Sequence, residues 1–136
     1  MNVRYLVDAN VLSEPTKSKP AHSVLKWLQS NEAEICVNPI VVGEMKYGIL
    51  KLPPGKKRQA LLDWFETGIV RIPVVKLDLE TANCWAALLS DLQKRGKAMP
   101  VKDSLIAASA LQYDLVVVTR NVKDFQSTSL QVVNPF

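Results

Sequence analysis

A chain of 136 residues, 48% apolar and 22% charged, is long enough to bury one real core and has the composition of an ordinary soluble globular domain. No apolar run reaches the roughly 18 residues of a membrane span, so a cytoplasmic protein with no membrane partner is expected. The formal net charge of +4 points to an anionic partner, nucleic acid among others, but only weakly.

The chain enters a strand almost at once, predicted over Val3–Val7 and apolar on both faces as a central parallel strand is, and with no basic-then-apolar segment ahead of it a secretory leader is not expected. A loop with Ser13-Glu14-Pro15 leads to a helix predicted around Pro20–Ser30, on which Ala21, Val24, Leu25 and Leu28 form one stripe. Glu34–Val37 is expected to be a short strand. Asn38-Pro39 then supplies an N-cap and a proline at the first helical position, and the helix runs to about Leu50. After the break at Pro53-Pro54-Gly55, a helix is predicted over Lys56–Thr67, stopping at Gly68. Val70–Val75 reads as a strand whose Pro73 assigns it to a sheet edge. Asp78 caps a long helix to Arg95, with Gly96 beyond it and Leu79, Ala82, Ala86 and Leu89 expected on the core side. Met99-Pro100 opens a helix ending near Tyr113, Leu115–Thr119 is a second central strand, and Leu130–Val133 a last short one. This alternation implies one α/β domain over 1–136, three-layered around a mainly parallel sheet with right-handed crossovers.

Four acidic segments fall where such a sheet opens a ligand site, beyond the carboxyl ends of strands. Asp8 follows the first strand, and Asn121 and Asp124 follow the second central one. Glu44 and Asp103 lie near the starts of their helices. Each has a plainer reading: Asp8 as a turn cap, Glu44 as a solvent-facing residue, Asp103 as a carboxylate favoured by the helix dipole, Asn121 and Asp124 as turn residues. The small Ala107 and Ala110 share the face of Asp103 and let that helix approach the sheet closely, aiming Asp103 along its upper edge toward Asp8. Carboxylates without histidine or cysteine partners suit a hard cation, Mg²⁺ or Mn²⁺. Packed together they repel, and a divalent cation relieves the repulsion. Cys36 and Cys84 lack CxxC spacing and read as buried free thiols of a reducing compartment, and the lone His22 as a surface residue.

Taken together, Leu6-Val7-Asp8-Ala9-Asn10-Val11-Leu12-Ser13-Glu14, Val42-Gly43-Glu44-Met45-Lys46-Tyr47-Gly48, Pro100-Val101-Lys102-Asp103-Ser104-Leu105-Ile106-Ala107-Ala108 and Thr119-Arg120-Asn121-Val122-Lys123-Asp124-Phe125 resemble a PIN domain. More narrowly they are similar to the VapC and FitB-like ribonuclease toxins of toxin–antitoxin pairs, over the whole chain and in the expected order. The resemblance implies that Asp8, Glu44 and Asp103 are the core acids holding Mg²⁺ or Mn²⁺ for RNA cleavage. Many family members place a fourth acid where this chain has Asn121. That residue could offer an amide oxygen or bind water, and Asp124, three residues on, could supply the carboxylate. The expected catalytic set is therefore Asp8, Glu44, Asp103 and Asp124, with Asn121 an expected fourth ligand of the metal.

RNA is expected to approach along a basic rim of Lys46, Lys102, Arg120 and Lys123, whose phosphate contacts give affinity and salt dependence but little sequence choice. The resemblance also implies a small antitoxin partner, reaching the acids with an arginine or lysine. A homodimer is expected as well, and Leu61, Leu62, Trp64 and Phe65 crowd one helix beyond what a single inward face needs. Among competing readings, a haloacid-dehalogenase-type phosphatase wants an aspartate where Asn10 stands. A response-regulator receiver wants an acidic pair near the first strand and a lysine where Arg120-Asn121 stands. A PIN-fold binding module without catalysis would have lost the core acids, and here all three are present.

Overall fold

The computed structural model describes residues 2–136. Four parallel strands form the sheet: β1 (Tyr5–Val7), β2 (Ile35–Cys36), β3 (Val116–Val118) and β4 (Val132–Val133), in the order β2-β1-β3-β4. Seven α-helices cover it: α1 (Ala9–Leu12), α2 (His22–Asn31), α3 (Pro39–Leu50), α4 (Lys56–Thr67), α5 (Leu79–Lys94), α6 (Val101–Tyr113) and α7 (Val122–Phe125). The expected α/β class with a parallel central sheet is what the chain adopts.

Burial explains why β1 and β3 are central. Leu6, Val7, Val117 and Val118 are each fully inaccessible, as strands covered on both faces must be. Their register aligns Val7 with Val118, so the residues just beyond, Asp8 and Thr119, emerge side by side. The connections from β1 lead to β2 on one side and those of β3 to β4 on the other. The crevice of the sheet is therefore at the carboxyl ends of β1 and β3.

Local chemistry sets the helix limits. Asn38 caps α3 by accepting from the Val41 N–H at 3.0 Å, and its amide donates to Ser109 Oγ at 3.0 Å, which locks the start of α3 to α6. Asp78 and Thr81 form a reciprocal capping box on α5, and Gly96 takes the left-handed conformation (φ 65°) just beyond its end. Ala107 and Ala110 on α6 are fully buried, so this helix sits tightly on the sheet as its small residues predict. Cys36 and Cys84 are free thiols, and burial pushes the Cys36 thiol up to about 11. His22 is exposed.

Two expectations are corrected. The strand predicted over Val70–Val75 is a short 3₁₀ turn at Ile69–Arg71 followed by a single parallel bridge of Val74 to Val37. Pro73 has no N–H to extend the ladder, so the segment contributes only the Pro73 carbonyl and the Val75 N–H to Val37. On α5, Leu79, Ala82, Ala86 and Leu89 face solvent, and Thr81, Leu88 and Leu92 are buried instead. Helix α5 carries two overlapping apolar stripes. The one that turns inward gives the Trp85 indole N–H a partner, Ser104 Oγ at 2.9 Å on α6.

Candidate active site

Asp8 is only 2% exposed, an expensive position for a carboxylate unless its oxygens are satisfied. They are. The Ala9 N–H donates to Oδ1 at 2.8 Å, Thr119 Oγ1 donates to Oδ2 at 2.7 Å, and the Asn10 amide donates to Oδ2 at 3.3 Å. Asp8 thus does cap α1, and the cap fixes its carboxylate at the crevice. Thr119 is itself fixed by the Asn121 backbone N–H donating to its hydroxyl at 3.0 Å, and Asn10 by the Arg120 N–H at 3.1 Å. Sequence reasoning assigned no role to Thr119 or Asn10. The available signal was that Thr119, like Asp8, is the first polar residue after a buried apolar run, which in a parallel pair makes them neighbours.

Asp103, in the first turn of α6, is 3% exposed. Burial pushes its carboxyl up to about 7, and the charges of Asp8 and Asp124 and a hydrogen bond to Asp124 push the same way; Lys102 opposes them. Asp124, half-buried on α7, is therefore on the same cluster. Asn121 is exposed, and its side chain makes no capping bond to α7.

Glu44, on α3, is turned toward Lys102, whose Nζ lies 2.6 Å from Oε1; Oε2 is buried with no hydrogen-bond partner. The same ammonium feels the charges of Asp103 and Asp8, and its pKa is raised, first by the bond to Glu44. Among the described residues, no three acids are gathered closely enough around one point to hold an ion as they stand. Asp103 meets the charges of both Asp8 and Asp124, and Glu44 is engaged by the lysine. The donor set nevertheless fits a hard cation: oxygen ligands only, mutually repelling, with one buried carboxylate oxygen lacking any partner.

Residues 5–129 match the PIN domain family. This chain belongs to it. PIN-domain relatives cover its length: VapC ribonuclease Y4jK of Sinorhizobium fredii is 29% identical over 96% of both chains. Toxin FitB of Neisseria gonorrhoeae is 33% identical over 96% of this chain and 97% of its own. The crystal structure of FitAcB from the same organism superimposes with a TM-score of 0.90 at 32% identity, covering 96% of this chain and 97% of that one.

Of the expected basic rim of this PIN domain, Lys102 reaches the acids. Lys46 pairs with Glu66 at 3.3 Å and lies 5.4 Å from the centre of the Phe65 ring; Arg120 lies 4.5 Å from the centre of the Phe136 ring; Lys123 is exposed on α7. A buried acid outside the expected set, Glu14, holds the loop after α1. Its Oε2 accepts from the Ala21 N–H at 2.8 Å, and the Lys17 ammonium lies 2.9 Å from Oε1 as an ion pair off the line of a hydrogen bond. The Ala21 N–H and Lys17 hold its carboxyl below the ordinary range.

Proposed function

We propose that this chain, a single PIN domain over 1–136, is a Mg²⁺- or Mn²⁺-dependent endoribonuclease acting as the toxin of a toxin–antitoxin pair. The observation that carries the reading is the buried carboxylate cluster at the crevice of β1 and β3, with Glu44 Oε2 unpartnered beside it. The relatives' names, ribonuclease and toxin, point the same way.

Asp8, Asp103, Glu44 and Asp124 are the oxygen donors in this proposal. Asp124 takes the fourth place ahead of Asn121, because Asp124 shares the Asp103 hydrogen bond while the Asn121 side chain stands exposed. When bound, the cation would activate a water and offset charge on the phosphoryl oxygens. The chain's own residues prepare for this. Thr119 and Asn10 orient the Asp8 carboxylate, which has little freedom left. Burial pushes the Asp103 carboxyl up to about 7, so it is only partly ionised near neutral pH and must lose its proton for the donor set to carry its full charge. Lys102 occupies Glu44 Oε1 in the ion-free protein and is the charge that an arriving cation must displace.

The inhibitor fits the same electrostatics: a small antitoxin that brings an arginine or lysine to Asp8, Glu44 and Asp103 competes with the cation. A homodimer completes the proposal; Leu61, Leu62 and Trp64 on α4 are only half-buried against the core and are available to a second copy. Incubation of the purified protein with total RNA, with and without a chelator and with cut sites mapped by sequencing, tests the reaction. Cleavage that requires Mg²⁺ or Mn²⁺ is expected, and cleavage indifferent to the chelator rejects the metal-dependent reading.

A further inference from the structure

A groove of about 950 Å³ starts at Ala9, Asn10 and Glu44 and runs outward between α3, α4 and the loop after α1. Its walls carry five lysines, Lys17, Lys19, Lys51, Lys57 and Lys102, against one acid, Glu44. Lys17 and Lys102 are engaged by Glu14 and Glu44, whereas Lys19, Lys51 and Lys57 have no ion-pair partner among the described residues. The loop bearing Lys17 and Lys19 is not loose, because Glu14 ties it back through the Ala21 N–H. Tyr47 lines the groove with 64% of its surface exposed, and the Lys51 ammonium lies 5.1 Å from the centre of its ring.

This combination selects a class of ligand. Ammonium groups spread along a channel match a chain of phosphates better than one small anion. An exposed aromatic face beside them offers a surface for an unpaired base, and stacking of this kind tolerates any sequence. Duplex RNA keeps its bases paired and cannot use such a face. At its inner end stands Glu44, one of the carboxylates that hold a cation in the proposed nuclease. A phosphodiester is received there by the cation and can also set a base on Tyr47, whereas an acidic peptide has only its charge to offer the lysines. The sequence-expected Lys46, Arg120 and Lys123 do not line this channel.

We propose that this groove is the entry track for single-stranded RNA, with Tyr47 stacking a base beside the acid cluster and Lys19, Lys51 and Lys57 contacting the incoming phosphates. The inference rests on the ribonuclease reading and adds to it the path and form of the substrate.

The test is fluorescence anisotropy with a labelled single-stranded RNA of about twelve nucleotides, within the span such grooves cover. All variants carry Asp8→Asn so that nothing is cut, and cleavage of total RNA by the unmodified protein is measured in parallel. Tyr47→Ala is expected to weaken binding about fivefold or more, and Tyr47→Phe to restore it, because the ring and not the hydroxyl stacks. Lys51→Ala with Lys57→Ala should flatten the slope of log K against log salt by about 1.4, near 0.7 for each phosphate that is no longer neutralised. The control pair Lys94→Ala with Lys97→Ala, exposed residues outside the groove, should leave affinity unchanged. Equal RNA affinity for the groove variants, with RNA still cleaved by the parent, overturns the track and leaves the nuclease standing. Groove variants that lose a protein partner encoded beside this chain, but not RNA, make the groove a protein-docking site and overturn it too. A parent that neither binds nor cuts RNA removes the ribonuclease reading and the track with it.

Discussion

Asp8 and Glu44 approach the same site from opposite sides and are held there by different forces. Asp8 is gripped by neutral donors: the Ala9 N–H and the Asn10 amide from the start of α1, and the Thr119 hydroxyl brought alongside by the register of β1 on β3. Glu44 is held by one flexible cation, Lys102, whose side chain is 49% exposed, and has a second oxygen with no partner. Neutral hydrogen bonds inside the protein do not respond to salt, and an ion pair near the surface does. The position of Asp8 is thus a property of the fold. That of Glu44 depends on which cation it meets, so one side of the site is preformed and the other can exchange its partner.

The comparison breaks most severely at Asp8. Asp8→Asn is expected to reduce RNA cleavage by more than the about hundredfold that loss of a merely orienting residue costs. The thermal midpoint should stay equal or rise, since one repelling charge is gone. Parent-rate cleavage by this variant would remove Asp8 from the site. The support of Asp8 comes next: Thr119→Val keeps the shape but deletes the donor, and should weaken Mn²⁺ binding by about ten- to a hundredfold by calorimetry. Thr119→Ser should restore it, and an unchanged affinity in Thr119→Val would mean that Asp8 needs no such support.

Asp103 offers a pH test. Its carboxyl ionises at 3.8 in an unstructured chain and near 7 in the folded protein, chiefly because it is buried. Between those values the folded state binds more protons than the unfolded one, so the ion-free protein should lose stability as pH rises from about 4 to 7. Asp103→Asn should flatten that slope and be more stable at pH 7, on the order of 2 kcal/mol, the cluster's shared charge allowed for. Chemical denaturation across the range measures it, and an unchanged slope places the titration elsewhere.

The fourth position gives a smaller effect. Asp124→Ala should lower Mn²⁺ affinity by roughly tenfold and Asn121→Ala by much less, because an ionised oxygen holds a hard cation better than an amide. The reverse order, in the same calorimetric titration, would make Asn121 the ligand. Smallest is Lys102→Ala. Removing the competing ammonium should raise Mn²⁺ affinity severalfold at low salt, on the scale of a screened charge contact, and change stability by about 1 kcal/mol or less. A loss of affinity instead would show that Lys102 positions Glu44 for the cation and does not compete with it.

Much of the frame was legible because its signals are local. Asn38-Pro39 and Gly68 gave α3 and α4 their limits, Asp78 and Gly96 bracketed α5, and the valine run before Thr119 marked β3. The inward face of α5 was not legible. Two stripes of similar apolarity compete on it, and only the presence of α6, with Ser104 ready for the Trp85 N–H, decides between them. Nor was the loss of the strand expected over Val70–Val75, where a run apolar but for Arg71 could not show how little a proline leaves to pair with.

By itself, then, the sequence determined which residues are candidates for the chemistry and which element each stands on: Asp8 after a buried strand, Glu44 and Asp103 near helix starts, Asp124 past the second central strand. Those facts depend on neighbours a few residues away. The tertiary structure alone decided what each carboxylate meets. Thr119 reaches Asp8 across 111 positions of sequence, and Lys102 reaches Glu44 across 58. Asp103 is raised by its burial and by acids from two other elements, and the lysines of the groove come from separate segments of the chain. Such partners are set by strand register and helix packing, whose energies are sums over the whole core, and no short window of residues contains them.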